Sequence, residues 1–233
     1  MSKKNQLLII EDEAAIRTGL VDVFVYHGYE VDWVEQGPQG LEKALSGNFD
    51  LILLDVMLPG MDGFEICNRI RVHDPQQPII MLTAKGSDDD IIHGLTLGAD
   101  DYIAKPFSVA QLVLRVQAVL RRSQKSIEQN THIRLGDYLE IDIANLSGSC
   151  GDKHYKFTRR EMEILEYLHA NKERPVSREE LLNQVWGYER EMEIETRTVD
   201  IHMAKLRRKL EPNPATPTYL VTVRGAGYRL MAD

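Results

Sequence analysis

Asp55 closes the apolar run Leu51-Ile52-Leu53-Leu54, and the turn formers Pro59-Gly60 and Asp62-Gly63 follow it. A lone aspartate in that place is either a turn-capping group or a ligand and nucleophile at the edge of a sheet. The company it keeps favours chemistry. Glu11 and Asp12 follow the apolar run Leu7-Leu8-Ile9-Ile10, Thr83 and Ala84 follow Ile79-Ile80-Met81-Leu82, and Lys105 follows Tyr102-Ile103-Ala104. Three carboxylates at one edge repel one another and become tolerable when a cation compensates them. Few, hard oxygen ligands suit Mg2+, which keeps several waters and accepts phosphate oxygens. A lysine and a hydroxyl beside the ion would stabilise charge on a transferring phosphoryl group. These residue types predict phosphoryl transfer onto Asp55, with an acyl phosphate as product.

Such a constellation needs strands whose carboxyl ends share one edge. The spacing supplies them. Ala14 to Tyr26 carries Ile16, Leu20, Val23 and Phe24 at helical period, and Gly28 stops it. Strands are predicted at 7–10, 29–34, 51–54, 78–82 and 102–104, and helices at 14–26, 38–45, 64–72, 88–97 and 108–122. Five strands alternating with five helices make an α/β, doubly wound parallel sheet with right-handed crossovers. Its ligand crevice forms where strand order reverses.

Glu11-Asp12, Leu54-Asp55, Thr83-Ala84 and Lys105-Pro106-Phe107 resemble the receiver domain of bacterial response regulators. The resemblance implies a flavodoxin-like fold with Asp55 as phosphoacceptor. It also implies Mg2+ held by Glu11, Asp12, Asp55 and the Met57 carbonyl. Thr83 and Tyr102 would form a switch pair, Ala84 and Lys105 would meet the phosphoryl group, and the Lys105–Pro106 bond would be cis. Asp100, Asp101, Arg115, Arg121 and Arg122 would pair two receivers into a homodimer on phosphorylation. Ile91, Gln111 and Gln117 stand where the family usually carries charges, so one intersubunit ion pair is expected to be missing. The donor implied is a sensor histidine kinase, and Met57 and Lys85 occupy positions that tune phosphate lifetime.

The chain of 233 residues suits two domains, predicted as a receiver at 1–122, a polar linker at 123–131 and an effector at 132–233. No apolar run approaches the length of a membrane helix, and the basic start gives way to Glu11-Asp12-Glu13, so a cytoplasmic protein without a membrane partner is predicted. Cys67 and Cys150 share no metal or redox spacing and are expected as reduced thiols. Residues 1–122 hold 11 basic and 18 acidic side chains, whereas Arg197 to Arg229 holds seven basic and two acidic. That asymmetry points the end of the chain toward nucleic acid.

In the second half, short alternating strands are expected at 133–135, 139–143 and 155–157. Thr158-Arg159-Arg160-Glu161 reads as a capping box, and Ser177-Arg178-Glu179-Glu180 repeats the device. A third helix from about Thr196 to Leu210 carries an apolar stripe of Val199, Met203, Leu206 and Leu210, with Arg197, Ile201, Lys205 and Arg208 opposite. A helix basic on its outer face suits the DNA major groove, although an ordinary surface helix shares that pattern. A terminal hairpin with the glycine-rich tip Arg224-Gly225-Ala226-Gly227 completes an α+β winged helix-turn-helix. Arg197-Thr198-Val199-Asp200, Leu206-Arg207 and Val223 to Tyr228 resemble the OmpR/PhoB-type effector domain. The resemblance implies promoter DNA as partner, with Ile201 and Lys205 at bases. Thr198, His202, Arg207 and Thr222 would meet phosphates, and Arg224 the minor groove, with Arg197 and Arg208 on the same face. The acidic loop Gly187 to Glu195 would touch RNA polymerase; from charge alone it reads equally as a solvated loop.

The reading is a phosphorylation-controlled regulator of transcription, not an enzyme. A phosphatase of the haloacid-dehalogenase type would need a second acid where Met57 stands. A regulator whose receiver is purely structural is the other alternative.

Overall fold

The computed structural model describes residues 4–47, 49–84, 93–95, 97–123, 132–136, 139–186 and 197–232, with the side chains of 121–123 and 197 excepted. The chain divides into two compact units, Met1–Gln124 and Lys125–Asp233.

In the first unit β1 (Gln6–Ile10), β2 (Glu30–Val34), β3 (Leu51–Asp55), β4 (Ile79–Thr83) and β5 (Asp101–Ala104) alternate with α1 (Ala14–Tyr26), α2 (Gly37–Leu45), α3 (Gly63–His73) and α4 (Val109–Ser123). Residues 93–95, between β4 and β5, are helical; most of the helix predicted at 88–97 lies outside the described residues. All strand pairs are parallel, in the order β2-β1-β3-β4-β5. The apolar runs are buried on both faces because they form the central strands. Leu7, Ile9, Leu51, Leu53, Ile80 and Leu82, two apart on each strand, share one face with Leu20 and Phe24 of α1 and Leu112 and Val116 of α4. Strand order reverses between β1 and β3, which puts the ligand crevice at the end of these two strands.

The second unit opens with an antiparallel sheet of β6 (His132–Leu135), β7 (Leu139–Asp142), β8 (Ser147–Cys150) and β9 (Lys153–Lys156). Strand β8 is one more than the sequence predicts. Its Ser-Gly-Ser-Cys composition reads as a separator, but Gly148 is buried, and a Cβ there would stand 3.0 Å from the Phe157 ring. Next come α5 (Arg159–Ala170), α6 (Arg178–Leu181) continued by a π-helical turn at Leu182–Trp186, and α7 (Arg197–Leu210). The hairpin β10 (Leu220–Val223) and β11 (Gly227–Leu230) ends the unit, and Val176 bridges to Tyr228 on its inner strand.

The box at Thr158 and Glu161 is complete: the Glu161 backbone N–H donates to Thr158 Oγ1, and Glu161 Oε2 accepts from the Thr158 backbone N–H at 2.8 Å. The second device is half a box. Ser177 caps the Glu180 N–H at 3.0 Å, but the Glu180 carboxylate turns to Arg174 and Tyr167 instead. These bonds hold its pKa down at about 2, with the Arg174 hydrogen bond the first cause. Cys67 and Cys150 are free thiols.

Candidate functional site: an acidic nest in one unit and a basic helix and wing in the other

Glu11 leaves β1 fully buried, its backbone N–H donating to Val34 O at 3.1 Å, while Asp12 beside it is exposed. Asp55 ends β3, 3% exposed. Carboxylate oxygens of Glu11, Asp12 and Asp55 lie within 4.8 Å of one another. Lys105 reaches in from the end of β5: its Nζ donates to both Glu11 oxygens at 2.9 and 2.8 Å and to Asp55 Oδ2 at 2.9 Å. One ammonium thus serves two buried carboxylates. Burial pushes the Glu11 pKa up to about 7; the Lys105 bond works against that rise and the Asp55 charge adds to it. Burial disfavours the Lys105 charge, but its bonds to Glu11 and Asp55 outweigh burial and raise its pKa.

The rest of the predicted receiver site assembles around this pair. The Met57 N–H donates to Asp55 Oδ1 at 3.2 Å, and its side chain is exposed. Thr83 is buried one residue beyond Leu82, the register partner of Asp55, and its carbonyl accepts from the Lys105 N–H at 2.6 Å. Ala84 is exposed, and the Lys105–Pro106 bond is cis. The Tyr102 ring is packed inward, so close to the helical segment that a Cβ at Gly94 would stand 2.9 Å from it.

Gly63 fixes the far wall. Its N–H donates to Val56 O, and a Cβ there would stand 2.2 Å from the Asp55 carbonyl oxygen and 2.9 Å from Val56 Cα. Backbone atoms cannot step aside as a side-chain tip can. Gly63→Ala is expected to lower receiver stability by about 1–3 kcal/mol and to slow phosphoryl uptake, measured by urea unfolding and by acetyl phosphate labelling.

The predicted dimer face is corrected in part. Asp100 is not at a surface: it is 3% exposed, pairs with Arg71 at 2.8 Å and accepts the Ile79 N–H at 2.8 Å. It braces the start of β4 from within. Asp101 and Arg115 pair with each other inside the chain, at 2.9 and 3.1 Å. Gln111, Leu114 and Gln117 form the outward side of α4. The side chains of Arg121 and Arg122, and residues Ile91 and Lys85, lie outside the described residues.

In the second unit, Val199, Met203, Leu206 and Leu210 of α7 are fully buried, as the stripe predicts. Two assignments to the outer face fail. His202 is 1% exposed, its ring 5.3 Å from that of Trp186, and neither ring nitrogen has a hydrogen-bond partner among the described residues. It cannot meet a phosphate. It stands three residues after Val199 and four before Leu206, so helical period already places it on the inner side. Burial, then the charges of Lys205 and Arg160, holds its pKa well below the ordinary value of 6.5. Lys205, exposed by 13%, turns to the buried Glu161, with Nζ 3.4 Å from Oε1, and does not project toward bases.

A histidine with depressed folded pKa adds stability above its unfolded pKa, and this is lost as pH falls through the folded value. His202→Leu is therefore expected to raise effector stability by about 1 kcal/mol at neutral pH, to flatten its decline below pH 6.5, and to leave DNA affinity unchanged. Trp186 emission during urea unfolding, in a Trp33→Phe background, and a DNA titration check all three.

The remaining outer residues stay available. Thr198 and Ile201 are half-buried, and Arg208, Thr222 and Arg224 are exposed. Arg207 links α7 to the wing, donating to Leu220 O at 2.8 Å and to Thr222 Oγ1 at 2.7 Å. The Arg197 side chain and the acidic loop at 187–195 lie outside the described residues. Three ionic devices escape the sequence because their partners are remote in it: Glu161 with Lys209 at 2.6 Å, Arg178 with Asp200 at 2.7 Å, and Glu211 accepting the Tyr219 and Leu220 N–H groups at 2.9 and 2.6 Å. Glu211 fixes the hairpin to the end of α7, and Asp200 also accepts from the Tyr228 hydroxyl on β11.

Comparison with known proteins agrees with this geometry. Residues 7–117 match the family described as response regulator receiver domain, and residues 152–230 that described as transcriptional regulatory protein, C terminal. The response regulator ArlR of Staphylococcus haemolyticus is 42% identical over 95% of this chain and 97% of its own. The alkaline phosphatase synthesis transcriptional regulatory protein PhoP of Bacillus subtilis is 40% identical over 99% and 97%. Among solved structures, a RitR mutant matches with a TM-score of 0.74 at 31% identity over 97% of this chain and 98% of that one. The response regulator DrrB, a Thermotoga maritima OmpR/PhoB homologue, matches with a TM-score of 0.52 at 30% identity over 98% and 99%. A receiver fold with its acidic nest, joined to a winged-helix unit and similar over nearly its whole length to named regulators, makes this chain a transcriptional response regulator of the OmpR/PhoB family.

Proposed function

We propose that the protein is a cytoplasmic two-component regulator that a partner histidine kinase phosphorylates on Asp55, and that the phosphorylated form pairs through its receivers and binds promoter DNA. The observation that carries this is the shared ammonium of Lys105 between buried Glu11 and Asp55. A half-buried lysine held charged at 2.9 Å from an aspartate is placed to stabilise charge on a phosphoryl group as it reaches that aspartate.

Glu11, Asp12, Asp55 and the Met57 carbonyl would hold Mg2+. The donor set fits, being all hard oxygen, and the Asp55 charge that adds to the burial-driven rise of the Glu11 pKa is one a divalent cation would offset. When bound, the ion neutralises charge on phosphoryl oxygens. The chain itself does the rest. An Asp55 carboxylate oxygen attacks phosphorus, the N–P bond of a phosphohistidine donor breaks, and its electron pair stays with the imidazole. Met57 stands where a phosphatase would need an acid, which supports a stable phosphoprotein rather than turnover.

On DNA, α7 would lie in the major groove with Ile201 toward the bases and Arg197 and Arg208 on the same face, Thr198, Arg207 and Thr222 would meet phosphates, and Arg224 of the wing would reach the minor groove. His202 and Lys205 take no part. Arg115, Arg121 and Arg122 would face a second receiver, with the buried Asp101 holding Arg115 in place, and the loop at 187–195 would meet RNA polymerase. Pairing raises the effective concentration of the second effector over its half-site. The test is DNA affinity with and without acetyl phosphate in wild type and Asp55→Ala: wild type should tighten and the variant should not. No change in wild type contradicts the switch.

A further inference from the structure

The metal ligands Glu11 and Asp12 sit on a short connection whose rigidity needs a source. β1 ends at Ile10 and α1 begins at Ala14, with Glu13 as an N-cap that makes no side-chain capping bond. The carbonyls of Glu11 and Asp12 lie past the last ladder position of β1. Arg17, one turn into α1, answers both: its Nη1 group donates to Glu11 O and to Asp12 O, each at 2.9 Å. The guanidinium is itself held. Its carbon lies 4.7 Å from the centroid of the Trp33 ring on β2, and its Nη2 group stands 3.4 Å from Glu35 Oε2. The side chain is only 11% exposed, so the fork has little freedom to leave.

We infer that Arg17 is the positioning residue of the acidic nest: clamped between Trp33 and two carbonyls, it presets Glu11 and Asp12 for the divalent ion. It touches no reacting atom and acts through the backbone of the two ligands. Groups that orient metal ligands typically set affinity by an order of magnitude or more. A lysine keeps the charge but lacks the planar fork that meets two carbonyls while stacking on an indole. The inference rests on the metal reading above.

The test uses full-length protein and Mn2+ as the probe, with bound and free ion separated by electron paramagnetic resonance. Arg17→Lys is expected to weaken Mn2+ binding about tenfold, and Trp33→Leu, which removes the platform from an exposed site, about twofold. In acetyl phosphate labelling, Arg17→Lys should need more Mg2+ for half-maximal rate yet approach the wild-type maximum when Mg2+ saturates. A merely structural residue would lower the maximum instead. Unchanged Mn2+ affinity in Arg17→Lys overturns the inference and leaves the metal reading standing. Absence of Mn2+ binding to wild type overturns both. Should Arg17→Lys fail to fold, Trp33→Leu decides, and wild-type affinity there overturns the inference.

Discussion

Lys105→Ala is expected to slow phosphoryl uptake on Asp55 about a hundredfold, the typical loss when one preorganised donor to developing charge is removed. The reason lies in how the site shares its cation. Glu11 and Asp55 are both buried, and Lys105 serves the two carboxylates together. Without it, Glu11 loses the hydrogen bond that opposes the burial-driven rise of its pKa and takes up a proton more readily. A proton on Glu11 competes with a metal ion for the same oxygens. Saturating Mg2+ overcomes that competition, so labelling rates at saturation isolate the lost donor to the phosphoryl group: the maximum falls. A maximum close to wild type would remove Lys105 from the proposed chemistry.

The largest effect on stability is expected at Glu161. Its carboxylate is fully buried, accepts the Thr158 N–H, and faces Lys209 at 2.6 Å and Lys205 at 3.4 Å. Burial pushes its pKa up, but the two lysines outweigh burial and hold it below 4.5. A depressed carboxylate contributes stability above its unfolded pKa, and that contribution is lost as pH falls through the folded value. Glu161→Ala breaks this buried ion network and half the capping box, and should destabilise the effector by about 3 kcal/mol. Thr158→Ala, which removes only the cap, should lose about 1 kcal/mol. Glu161→Gln should lack the acid-dependent loss expected of wild type below pH 4.5. Unfolding followed by Trp186 emission in the Trp33→Phe background reads each value; equal losses in Glu161→Ala and Thr158→Ala would refute the network.

The receiver site is legible in the sequence because its parts fall where period changes. Each apolar run ends at a functional residue, and a parallel βα repeat brings all such ends to one edge. Asp55, Glu11 and Lys105 meet for that reason. What stays hidden depends on partners far apart in the chain. Asp100 reads as a surface acid until Arg71, 29 residues away, takes it inside. Strand β8 hides because Gly148, a separator by composition, fits beneath Phe157. His202 and Lys205 are misplaced because polar type outweighed helical position: one lies on the apolar stripe, and the other flanks it and bends to Glu161. Arg17 is visible as a residue, but its clamp on Glu11 and Asp12 needs β2 beside β1 to supply Trp33.

The central claim is that this nest receives phosphate, and the most direct measurement is the intact mass of full-length protein after incubation with acetyl phosphate and Mg2+, beside Asp55→Asn. Wild type should gain a single phosphoryl group that alkali removes, and the variant should gain none. A wild-type mass that does not change, or equal labelling of both proteins, would contradict the account.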